Sequence, residues 1–186
     1  DPLAGRAPRP LPLPHFPDRL HAFVWRNWQL VPARRMAEVV GSSAGEIVRL
    51  GRNMGLEGPP RITAEQQRRS ALTIIRRNWH LLPYEQLLQL LGWSADEMAF
   101  ALREDDFLFV KLGNLKPRCE PLEYRPPDAL ACERAREISS ILQADFPLSV
   151  AEIKPRDQPS ELVEHLHLGV ESRQARTRHD QAQLCL

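Results

Sequence analysis

The chain has 186 residues, enough for one ordinary domain or two small ones. With 42% hydrophobic and 26% charged residues, most of it is expected to fold. A balance of 25 Lys and Arg against 24 Asp and Glu leaves a net charge of +1, which excludes a global pull toward nucleic acid or membrane.

Residues 1–17 hold Pro2, Pro8, Pro10, Pro12, Pro14 and Pro17. Proline fixes φ and lacks an amide proton, so this stretch predicts an extended, solvated Pro-rich arm. Asp18 is a good N-cap, and Leu20, Phe23, Val24 and Trp28 follow at helical spacing, predicting a helix over 18–27. Pro32 opens a second helix with Met36, Ala37, Val39 and Val40 inward, and Gly41 stops it. Ser43 to Glu46 has the capping-box form of a third helix that buries Ile47, Leu50 and Met54. Gly55 ends it, and Gly58-Pro59-Pro60 breaks the chain.

The same order then recurs. Arg26-Asn27-Trp28 and Arg77-Asn78-Trp79 lie 77 − 26 = 51 positions apart, and that offset carries Pro32 onto Pro83, Gly41 onto Gly92, Ser43 onto Ser94 and Glu46 onto Glu97. A match held at one offset without gaps is an internal repeat. It predicts two tri-helical units, 18–57 and 61–116, packed together because each alone has a small core. In the second, Thr63 to Gln66 is a capping-box form, and Leu72, Ile75 and Trp79 mark its first helix. Leu87, Leu88, Leu90 and Leu91 are to be buried by the next helix, and the third carries Met98, Ala101 and Leu102. Phe107 to Leu112 suits a strand by residue type, but beside helical neighbours a short helix capped by Asp106 and closed by Gly113 is the preferred reading. A Pro-rich wrap and a helix fill 117–145, with Asp128 as cap and Leu130, Ile138, Ile141 and Leu142 as the apolar face. Residues 146–186 read as a weakly ordered tail, with a short helix near 160–168 and a polar, aperiodic end. The fold class is all-α.

In each copy the second and third helices have helix-turn-helix spacing. A DNA reader would lay the third helix in the major groove. Arg49, Arg52 and Asn53 suit that role in the first copy, with Arg34 and Arg35 extending the basic face. The corresponding helix of the second copy carries Asp96, Glu97, Glu104, Asp105 and Asp106 against Arg103, which phosphates would repel. Glu104, Asp105 and Asp106 are instead the candidate contact for a basic partner surface. Trp28 and Trp79 belong to the core by helical phase, whereas Trp25 and Trp93 are the candidate exposed aromatics. Arg26, Asn27, Arg77 and Asn78 read as a clamp that seeks helix-end carbonyls.

Cys119, Cys132 and Cys185 are an odd number without CxxC spacing, which fits reduced thiols and a cytoplasmic setting. His165 and His167 lack further ligands at zinc-finger spacing, so no metal is expected, and no cofactor. No run reaches the roughly 18 apolar residues of a membrane span. No GxSxG, HExxH, GxxxxGK[ST] or GxGxxG motif occurs, and no enzyme is expected in this chain.

His21-Ala22-Phe23-Val24-Trp25-Arg26-Asn27-Trp28, Ile74 through Tyr84, Leu90-Leu91-Gly92-Trp93-Ser94, Arg103 through Leu108 and Lys111 through Leu122 carry a resemblance over roughly 16–145. This stretch resembles the N-terminal helical region of large, poorly characterised bacterial proteins, some labelled glycoside hydrolases. The resemblance implies a catalytic part downstream and carries no catalytic residue onto this chain. The tail does not resemble the family's continuation, and the chain opens on Asp1. A gene fragment would account for both. The expected function is therefore a non-catalytic interaction or accessory module, whose partner is the downstream domain or another protein. The alternative is a helix-turn-helix DNA-binding regulator.

Overall fold

The computed structural model describes residues 7–59, 61–104 and 107–145. The chain divides after Pro147, and every described residue belongs to the first unit. The expected helix near 160–168 and the aperiodic end lie outside the described residues. Among the described residues all regular structure is helical, with no strand.

Helix α1 (Arg19–Asn27) starts at Asp18, whose carboxylate accepts from the His21 amide at 2.8 Å. Pro32 precedes α2 (Ala33–Val40), and Gly41 ends it at φ 69°, a left-handed conformation that costs glycine little. That turn lets Ser42 N donate to Ala37 O at 2.9 Å, closing a Schellman-type end. Helix α3 (Ala44–Asn53) follows. Gly51 on α3 is required by close packing: a Cβ there would lie 2.9 Å from Cε3 of Trp28 and closer still to Cζ3 and Cη2.

The second copy opens differently from the sequence expectation. Its first helix is divided at Ser70 into α4 (Ala64–Arg69), which carries the full Thr63–Gln66 capping box, and α5 (Ala71–Asn78). Then come α6 (Tyr84–Leu91) and α7 (Ala95–Glu104). Moved by 51 positions, the bounds of α2 and α3 are those of α6 and α7. Gly92, at φ 71°, repeats the turn, and Trp93 N donates to Leu88 O at 3.1 Å. Leu88 itself is only half-buried, while Leu87 and Leu90 are fully enclosed.

The copies meet face to face, α1 on α5 and α2 on α6. At the centre, Asn27 Nδ2 donates to Asn78 Oδ1 at 2.9 Å and Asn78 Nδ2 donates to Asn27 Oδ1 at 2.8 Å. Each amide also donates back to its own helix, to Phe23 O and Ile74 O at 2.8 Å. Arg26 Nη1 donates to Arg77 O at 2.8 Å, and Arg77 Nη1 to Arg26 O at 2.7 Å. The expected clamp on helix-end carbonyls therefore exists, but each arginine grips the other copy's helix, not its own turn. Around it Phe23, Val24, Met36, Ile47, Leu50, Ile74, Ile75, Leu81 and Leu87 form one continuous core. Burying a side chain of this size contributes about 1.5–3 kcal/mol.

The proline-rich segments hold the pair from outside. The described part of the N-terminal arm is not simply solvated: Leu13 and Phe16 pack on the core, and Leu11 N donates to His80 Nδ1 at 3.4 Å. Residues 113–127 wrap the surface. Lys116 Nζ donates to Trp79 O at 2.7 Å and Leu82 O at 2.6 Å, and Tyr124 N to Val40 O at 2.8 Å. Helix α9 (Ala129–Asp145) is capped by Asp128 and lies on α3. Its expected face is corrected. Leu130 and Ile141 are 73% and 57% exposed, and the buried stripe is Ala131 and Ala135, with Ile138 packed beside them. Two alanines permit closer approach to α3 than two leucine-sized side chains would, and Ser139 reaches Gly55. Trp25 and Trp93 are also corrected: both are half-buried against the core.

Candidate functional site

The exposed apolar surface concentrates at the end of the second copy. Helix α7 ends with Ala99, Phe100, Leu102 and Arg103, and the short helix α8 (Leu108–Lys111) packs against it. Phe107 precedes α8 in the left-handed region, at φ 52°, and no side chain among the described residues caps the helix. A left-handed φ on a bulky residue is costly and marks a position held by its surroundings. The turn orients Leu108 into the core at 0% exposure and leaves Phe107 79% exposed. Phe100, Phe109 and Val110 are 58%, 44% and 65% exposed. Ala99, Leu102, Arg103, Phe107, Phe109 and Val110 line a groove of about 460 Å³.

This groove was not singled out in the sequence. The signal was present in Phe107, Phe109 and Val110, since a helix of only four residues cannot turn three large apolar side chains inward together with Leu108. Asp106, expected to cap α8, lies with Asp105 outside the described residues. Glu104 is exposed and accepts from Arg103 Nε at 2.8 Å. Glu97 completes a reciprocal capping box with Ser94, and those hydrogen bonds lower its carboxyl pKa.

The basic residues of the first copy do not form a free cationic face. Arg34 pairs with Glu38 at 3.1 Å. Arg35 lies 3.8 Å from the same carboxylate, and its guanidinium donates to Gln89 O at 3.4 Å across the join between copies. Arg49 is bonded to Glu46 and, at 3.1 Å, to the Tyr124 hydroxyl. Tyr124 also donates to Glu46 at 2.5 Å. The hydrogen bonds from Tyr124 and then Arg49 hold the Glu46 carboxyl below its ordinary pKa. Glu46 is thereby drawn away from Ser43, so the expected capping box is half formed: Ser43 Oγ accepts from Glu46 N at 3.2 Å, and the return bond goes to the wrap. Arg52 and Asn53 are exposed on α3. Two residues remain where a phosphate-tracking face needs several.

Among the described residues no group of three or more His, Cys, Asp or Glu converges on a metal position. No helix among them is long and apolar enough to cross a membrane. Comparison with protein-family models, curated proteins and solved structures finds no match.

Proposed function

We propose that the chain is a non-catalytic helical interaction module whose α7–α8 groove receives an amphipathic helix of another polypeptide segment. The observation that carries this reading is the set of three exposed large apolar side chains, Phe107, Phe109 and Val110, that line one groove. Single exposed apolar residues are ordinary, but a contiguous set marks a contact surface. A groove between two helices suits a helix laid lengthwise, with anchors at i, i+3 or i+4 and i+7. The 460 Å³ of space accommodates one or two leucine- or phenylalanine-sized anchors. The two repeat copies then serve as the scaffold that presents this surface. The partner is the downstream domain of a larger bacterial carbohydrate-active protein, a reading that rests on the sequence resemblance alone.

The test is photo-crosslinking in the source organism, with benzoylphenylalanine placed singly at Phe107, Phe109 and Val110. The expected result is one set of crosslinked peptides shared by the three positions, apolar at helical spacing, and absent when the probe replaces Leu130 on α9. Three unrelated patterns, or the same pattern at Leu130, would remove the groove from consideration. A duplex-DNA titration separates the runner-up reading, because a DNA reader would show affinity falling steeply between about 50 and 200 mM salt.

A further inference from the structure

Beside the join between the copies lies a second cleft, of about 500 Å³, lined by Phe16, Trp25, Arg26, Arg76 and Arg77. None of these five residues is acidic. Arg26 and Arg77 are brought together by their reciprocal bonds to each other's carbonyls. A guanidinium carries five N–H donors in a planar fork, so one such bond leaves most of each fork to its surroundings. Burial, and then the neighbouring charge of Arg77, lower the Arg26 pKa from its ordinary value. The fold thus holds two like charges side by side, Arg26 half-buried and Arg77 exposed, with no carboxylate among the described lining residues. The wall is aromatic: Phe16 and Trp25 have ring centroids 5.9 Å apart, with planes tilted by 59°.

We propose that this cleft binds a nucleoside monophosphate, with its phosphate on Arg26 and Arg77 and its base against Trp25. Two adjacent guanidiniums match a dianion better than a single carboxylate, and their planar forks fit the oxygens of a phosphate. The indole beside them offers the flat apolar face on which a base stacks. The site does not depend on the α7–α8 groove and adds a ligand to the scaffold.

Calorimetric titration of the full chain tests it, with adenosine monophosphate, adenosine and inorganic phosphate as separate ligands at low salt. The monophosphate is expected to bind at least about tenfold more tightly than either adenosine or phosphate, since each half supplies roughly a tenfold gain. Arg77→Gln should weaken the monophosphate and phosphate alike by about tenfold. Trp25→Leu should weaken the monophosphate by a similar factor while leaving phosphate unchanged. Both variants are checked for parental helicity by circular dichroism, and Phe16→Ala, outside the helices, replaces Trp25→Leu if that variant unfolds. A monophosphate that binds no better than phosphate would overturn the proposal. So would a folded variant that binds like the parent, or a single-stranded oligonucleotide that binds more tightly per nucleotide than the monomer.

Discussion

Replacing Asn27 by alanine is predicted to cost far more than its size suggests. Both amides are 0% exposed, so water does not compensate them. Asn27→Ala leaves Asn78 with one N–H and one Oδ1 unpaired, since both had Asn27 as partner. The Phe23 carbonyl loses only a second donor. An orphaned buried polar group costs about 1–3 kcal/mol, so two give roughly 2–6 kcal/mol, a large part of the 5–15 kcal/mol that stabilises a typical domain. Asn78→Ala should cost the same by the reciprocal argument. In Asn27→Ala/Asn78→Ala no amide is orphaned, so the double variant should be no less stable than the worse single one. The coupling is then about 2 kcal/mol or more, within the range of contacting pairs. Urea unfolding at 25 °C, followed by circular dichroism and tryptophan fluorescence, measures all four corners. Additive single costs, with coupling below about 0.5 kcal/mol, would refute the claim that these two side chains join the copies.

Gly51→Ala should destabilise by about 1–3 kcal/mol through collision with Trp28, despite alanine's better helix propensity, whereas Gly41→Ala meets nothing within 4 Å and should cost only the roughly 1–2 kcal/mol of its left-handed φ. Thermal melting separates the two, and equal stability of Gly51→Ala and parent would contradict the packing. Lys116→Met should lose about 1–3 kcal/mol in urea, because Leu82 O loses its donor and Trp79 O keeps only the Cys119 thiol at 3.9 Å; an unchanged midpoint would show that the wrap is not anchored there. Asp18→Ala should cost about 1 kcal/mol as a lost N-cap. Burial raises the Asp18 pKa, but its hydrogen bonds and charge contact with His21 outweigh this and leave it below 3.8. Its contribution is therefore fully present above pH 3.8 and lost as pH falls through the lowered value, so the difference between parent and variant should shrink only in that acid window. A difference that shrinks already near pH 6 would assign the effect to another group.

Much of the scaffold could be read from local signals. Pro32, Gly41, Ser43, Gly92 and Ser94 are punctuation whose effect is confined to one turn, and helix bounds followed them closely. The join between the copies was less legible. Arg26 and Asn27 announced that they needed partners, but the partners stand 51 residues away, and residue type carries no information about which copy supplies a carbonyl. Helix α9 misled for a similar reason: leucine and isoleucine define an apolar face in isolation, but α3 selects the smaller face that fits it. Arg35 on α2 and Arg49 on α3 looked free because neither Gln89 nor Tyr124 is near them in sequence. The groove was hidden by the left-handed turn at Phe107, which decides which apolar side chains of α8 face out and which has no sequence signature on a phenylalanine.

The most direct test of the account combines stability and contact in one variant, Phe107→Ser/Val110→Ser. Both side chains are mostly exposed, so their loss should leave the urea midpoint within the roughly ±0.5 kcal/mol typical of surface substitutions. The crosslink from benzoylphenylalanine at Phe109, which lines the same groove, should disappear in the same background. A variant that unfolds at markedly lower urea while keeping the crosslink would mean that these residues support the fold and that the partner binds elsewhere.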